Sequence, residues 1–140
     1  MKTVKAIAKA VIAGAVGGAL AGALIIVIPR HGYDPVALVA AIFGSLFGIV
    51  AFPICYFTLV RDVPMWLVVV CAIPATIAAE IGFIRYLGSS DVPSDSFLVD
   101  FFAGGLGGLL LTCVVLRMIY STKRARAAAV EINLDRSQGL

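Results

Sequence analysis

Charge is scarce in this chain. Eleven Lys and Arg and eight Asp and Glu amount to 14% of its 140 residues, against 61% hydrophobic residues and a mean hydropathy of +1.06. That balance cannot cover a water-facing surface, which excludes an ordinary soluble domain. A single histidine, His31, excludes a haem held between two histidines of this chain. Cys55, Cys71 and Cys113 show no CxxC spacing, so neither a structural zinc site nor a disulfide framework is expected. No Ser/His/Asp or Cys/His set is present, nor a phosphate-cradling loop leading into a helix with a lysine, nor paired carboxylates at catalytic spacing. The expectation is a non-enzymatic protein without cofactor or metal.

What the chain does have is four long apolar runs. At about 20 residues per crossing, they predict an all-α polytopic membrane protein with spans over about 6–28, 35–60, 63–86 and 97–120. Residues 1–120 then form one four-helix transmembrane domain with short loops, and residues 121–140 a short, polar, basic tail, with room for a surface helix through Ala127, Val130 and Leu134. Lys2, Lys5 and Lys9 precede the first run in the manner of a signal peptide. The uncharged stretch from Ala10 to Ile28, 19 residues, exceeds a usual h-region of about 7–15. A retained first span ended by Pro29 is expected. Asp34-Pro35 and Asp62-Val63-Pro64 each read as a cap followed by a proline in the first helical turn. Pro53 and Pro74 are expected to kink the second and third spans.

Four spans put both termini and Arg61 on one side, which then holds nine of the eleven Lys and Arg residues. With three acids on that side its net charge is +6; the other side, with two bases and five acids, carries −3. The positive-inside rule makes both termini cytoplasmic. Tyr33 and Tyr86 near one boundary and Trp66 and Tyr120 near the other fit aromatic belts. A bacterial inner membrane is the expected location, with an organellar inner membrane as the alternative.

The most specific pattern is a line of tiny residues at four-residue spacing in the first span: Ala6, Ala10, Gly14, Gly18 and Gly22. Residues four apart stack on one helix face. Between membrane helices, close contact depends on backbones being able to approach. Two further lines follow, Ala40, Gly44 and Gly48 in the second span, and Gly104 and Gly108 in the AGGLGG run of the fourth. These glycine-zipper lines serve either packing within one bundle or docking of a further subunit or copy. Three lines exceed what one bundle obviously needs, so assembly is expected.

Glu80 is the most deeply placed charge, about 10 Å below a surface at Leu87 given 1.5 Å per helical residue. A carboxylate near a span's centre costs about 2.5–3.5 kcal/mol on insertion scales, so it should face a partner or a cavity. Either it is a polar clamp, bonded to Thr76 one turn away or paired with Arg30, Arg85 or a neighbouring subunit, or it carries a proton or ion. Arg85 is five positions on, which is not a same-face spacing. The set His31, Asp34, Asp91, Asp95 and Asp100 has the ligand types of a divalent-cation site, but helix caps and helix dipoles account for most of these aspartates, and no metal is expected. Lys123, Arg124 and Arg126 in the tail suit anionic lipid headgroups. Nucleic acid is not expected as a partner, because no aromatic interleaving or recognition module accompanies the basic residues.

Four spans with an intramembrane carboxylate resemble the small multidrug exporters, although those carry the carboxylate in their first helix and Glu80 lies in the third. The glycine lines of the first and last spans are similar to those of four-helix inner-membrane translocase and respiratory accessory subunits. Both resemblances stop at short motifs. The leading expectation is therefore a small accessory subunit that packs through glycine-lined faces into a larger membrane complex or a homo-oligomer, for assembly, stabilisation or lipid sealing. The alternative is a small oligomeric proton-coupled transporter or channel using Glu80, gated by the proline-bearing second and third helices.

Overall fold

The computed structural model describes residues 2–30, 35–88 and 97–138. These form four helices, α1 Lys2–Arg30, α2 Pro35–Leu59, α3 Met65–Gly88 and α4 Phe97–Gln138. Each holds a stretch long and apolar enough to cross a membrane, namely Thr3–Ile28, Pro35–Leu59, Met65–Phe83 and Phe101–Ile132. The chain is thus an all-helical multi-pass membrane protein. In lipid every backbone N–H and C=O must be satisfied within the chain, and a helix does so residue by residue.

Three boundaries depart from the sequence reading. α1 passes through Pro29 and ends at Arg30, because a proline near a helix end removes one ladder bond without preventing the following residue from staying helical. Pro64 does not occupy the first position of α3. Its carbonyl accepts from the N–H groups of Leu67 at 3.0 Å and Val68 at 3.3 Å, so Pro64 itself is the residue that caps α3. α4 runs without a break to Gln138, carrying the basic stretch as a continuation of the fourth helix. Pro35 does open α2, and Pro53 and Pro74 lie inside continuous helices.

The tightest packing is between α1 and α2. A Cβ placed on Gly14 would fall on the carbonyl oxygen of Gly48, one on Gly18 on that of Gly44, and one on Gly22 on that of Ala40. The reverse holds for Gly44 against Gly18 and Gly48 against Gly14. Rising numbers on α1 meet falling numbers on α2, so the two helices are antiparallel. A glycine on at least one side of each contact lets main chains meet in this way, and the gain is dispersion contact along the whole seam.

The second hairpin uses one line of glycines rather than two. A Cβ on Gly108 would lie 2.5 Å from Thr76 Cα and 2.8 Å from Ala75 O, and one on Gly104 would lie 2.7 Å from Glu80 Cγ. α4 thus offers glycine, and α3 offers main chain at Ala75 and Thr76 and the stem of Glu80, again antiparallel. Thr112, buried on α4, returns its hydroxyl to Gly108 O at 2.9 Å. A seam between two helices consumes up to two small-residue lines, so the three lines make two intramolecular seams. Their number carries no surplus for docking.

Larger side chains collect at the end of the bundle that holds the 60–64 turn. Phe52, Tyr56, Val60, Val63, Val68, Cys113 and Leu116 belong to one buried cluster there, with Ala10 of α1. The turn is pinned from inside: the Tyr56 hydroxyl donates to the Val63 carbonyl at 3.0 Å, while Val60 and Val63 turn inward and Val63 N–H bonds Val60 O at 2.9 Å. Tyr56→Phe removes the hydroxyl donor and leaves a buried acceptor behind. The expected cost is about 1–3 kcal/mol, read as a lower thermal midpoint of the full chain in detergent; an unchanged midpoint would show that this bond does not hold the turn.

Candidate functional site at Glu80

α3 exposes Trp66, Val70 and Pro74 and turns Val68, Ala72 and Glu80 inward, a spacing of four that carries one helix face from the apolar cluster to the carboxyl. Glu80 is 2% exposed and is among the largest fully buried side chains of the protein. The glycines of α4 make its space. A Cβ on Gly105 would stand 3.2 Å from Glu80 Oε1, 3.5 Å from the Phe47 ring of α2 and 3.8 Å from the Thr76 methyl. The carboxyl therefore lies in the α3–α4 seam with an aromatic edge of α2 close by. Phe47 is held in turn against Phe102, ring centroids 5.5 Å apart.

Glu80 Oε2 is buried and has no hydrogen-bond partner among the described residues. Thr76 adjoins the same glycine, yet no hydrogen bond joins it to Glu80. Arg85 is exposed at the surface of α3 and makes no ion pair with Glu80. Arg30 is the last residue of α1, and its side chain lies outside the described residues. A neighbouring subunit is a poor source of a partner, since the carboxyl is enclosed by this chain's own helices. Of the candidate clamp residues whose side chains are described, Thr76 and Arg85, the fold brings Thr76 beside Glu80.

Thr76 and Gly105 also line a half-open hollow of about 50 Å³ between the four helices, together with Gly14 and Gly18 of α1, Phe47 and Phe52 of α2, Val69 and Ile73 of α3 and Leu109 of α4. A buried water needs roughly 10–15 Å³ and two to four polar partners; Thr76 is the one polar side chain among the lining residues, so the space is an apolar hollow rather than a water site. Organic ligands occupy sites of about 300–1,000 Å³, which this cavity does not approach.

Ala10, Gly14, Gly22, Gly44, Gly48, Gly104 and Gly108 are buried, with Gly18 half-buried, all inside the bundle. Lys123, Arg124 and Arg126 are exposed on α4; Arg124 Nη1 bonds Asp62 Oδ2 at 3.0 Å, and Lys123 Nζ lies 5.7 Å from the Tyr120 ring centroid. His31, Asp34, Asp91 and Asp95 lie outside the described residues, as does the side chain of Asp100. Among the described residues no three His, Cys, Asp or Glu side chains come together as a metal site, and the three cysteines are free. Two contacts escaped the sequence reading. Gly105 is adjacent to the chosen Gly104, and its place in the AGGLGG run was the available signal; Asp62, read as a cap, instead pairs with a residue 62 positions away. No protein-family model matches the chain, and neither a curated protein nor a solved structure matches it.

Proposed function

We propose that this small, non-enzymatic multi-pass membrane protein works through Glu80, whose carboxyl takes up and releases a proton inside the bundle and so couples proton movement to transport or conduction. The observation that carries the reading is the buried Oε2 without a partner among the described residues. An ionisable group inside a span is costly, and here no structural bond offsets that cost. The hollow of about 50 Å³ beside Thr76 and Gly105 is too small for an organic cargo in this conformation. Pro74 lies two residues from Thr76 and supplies no N–H to the α3 ladder, which gives α3 a compliant point next to the site. In this reading both termini are cytoplasmic, in a bacterial inner membrane: the antiparallel hairpins bring the Lys5 and Lys9 end of α1 and the basic part of α4 to the bundle end that holds Arg61, and positive charge marks the inner side.

A second reading, a subunit of a larger assembly, is favoured by a different observation. Every residue of α4 from Ser121 to Ile132 is exposed, including Val130 and Ile132 at 59% each. A docking surface on this helix would replace the glycine faces, which the bundle itself covers. One experiment separates the two: purified full chain in liposomes under a pH gradient, read with an internal pH dye. The expected result is proton flux by the native protein and at least about a tenfold loss in Glu80→Gln, with unchanged size in detergent. Native protein that carries no flux, or a variant that carries as much, removes the Glu80 reading.

A further inference from the structure

A second concave site lies at the opposite end of the bundle from Glu80, independent of anything proposed for that residue. Between the 60–64 turn and α4 is a hollow of about 360 Å³ whose floor includes Phe57 and Val63 and whose sides carry Arg61, Arg117 and Arg124 with Asp62. Asp62 holds Arg124 at 3.0 Å. Arg61 and Arg117 are exposed and make no ion pair with any described residue. Three guanidinium groups against one carboxylate leave two positive charges over a partly apolar floor. The hollow also stands at the level where apolar helix gives way to charge, since α2 ends at Leu59 and α3 begins at Met65.

We infer that this hollow is a binding site for the phosphodiester headgroup of an anionic phospholipid, with Arg61 and Arg117 as the phosphate ligands. A guanidinium presents parallel N–H donors that match two phosphate oxygens, and in Arg61 and Arg117 those donors are not spent on any described residue. The Asp62 pair orients Arg124 at the rim and keeps the third charge from swinging away. The Phe57 and Val63 floor accepts the glycerol and first acyl carbons, which inorganic phosphate lacks. A zwitterionic lipid brings its own cation to a site that already holds an excess of two. Basic pockets between helices at the membrane surface are suited to this class of ligand, and the volume is of headgroup size.

The test uses the full chain in a neutral detergent, titrated separately with phosphatidylglycerol, phosphatidylcholine and inorganic phosphate, with bound lipid counted by native mass spectrometry. Phosphatidylglycerol is expected to bind at least about tenfold more tightly than phosphatidylcholine, and inorganic phosphate is expected not to displace it. Arg61→Gln with Arg117→Gln should weaken phosphatidylglycerol about tenfold or more, given the size of one Lys or Arg contribution at a lipid surface. Lys5→Gln with Lys9→Gln removes the same charge from the exposed face of α1 and should leave binding unchanged. Arg61→Lys with Arg117→Lys keeps charge but loses the fork and should fall between. Equal binding of the two lipids, displacement by inorganic phosphate, or equal loss in the arginine and lysine double variants would each overturn the assignment.

Discussion

Gly18→Leu will prevent α1 and α2 from closing into their native hairpin. Even the first atom of a side chain at Gly18 would occupy the Gly44 carbonyl, and what blocks it is main chain rather than a flexible tip. Overpacking of a core costs about 1–3 kcal/mol where side chains can yield. Here the helices must move apart, which also forfeits contact at Gly14 and Gly22, so a loss above about 3 kcal/mol is expected. The measurement is thermal aggregation followed on a sizing column: Gly18→Leu should elute as aggregate or at a much lower midpoint. Gly82 and Gly107, where an added Cβ meets nothing within 4 Å, supply the contrast. Alanine at either should be neutral or stabilise by up to about 1 kcal/mol through helix propensity. A Gly18→Leu protein as stable as the native one would mean that the seam is not formed as described.

Glu80→Met is expected to make the protein more stable and to silence it. Methionine is unbranched like glutamate and fits the space that Gly104 and Gly105 leave, while removing the oxygen that has no partner. Burying an unsatisfied polar group costs about 1–3 kcal/mol, and that is the gain expected on its removal. The readout is a higher thermal midpoint in detergent together with lost proton flux in liposomes, the trade expected where a costly group is retained for use. A lower midpoint would show that the carboxyl holds α3 to α4, and the clamp reading would return.

Much of the architecture was readable because lipid imposes one strong rule. Uncharged runs long enough to cross had to become helices, and they did, with Pro35 opening α2 as its fixed backbone angle favours. Boundaries were less legible where local chemistry had two outcomes. Asp62 is equally suited to capping a helix and to pairing with a cation, and the cation that takes it, Arg124, is far away in sequence. Pro29 looked like a stop, yet a proline blocks the turn before it more than the residue after it. The small-residue lines were visible, but a line shows a face and not what covers it. Gly14, Gly18 and Gly22 meet glycine and alanine across the seam, whereas Gly104 meets the Glu80 stem. That pairing is a three-dimensional fact, and it turned an apparent excess of lines into two closed seams. For Glu80, depth followed from counting residues, while the absence of a partner depended on where Thr76 and Arg85 point.

The division of the bundle into α1–α2 and α3–α4 hairpins also sets an order of events. Each seam joins neighbours along the chain, so the glycine contacts of the first half need nothing from the second. A nascent chain can complete that half before α3 and α4 are in place, and the finished pair then offers a preformed wall on which the later pair, with its buried acid, comes to rest.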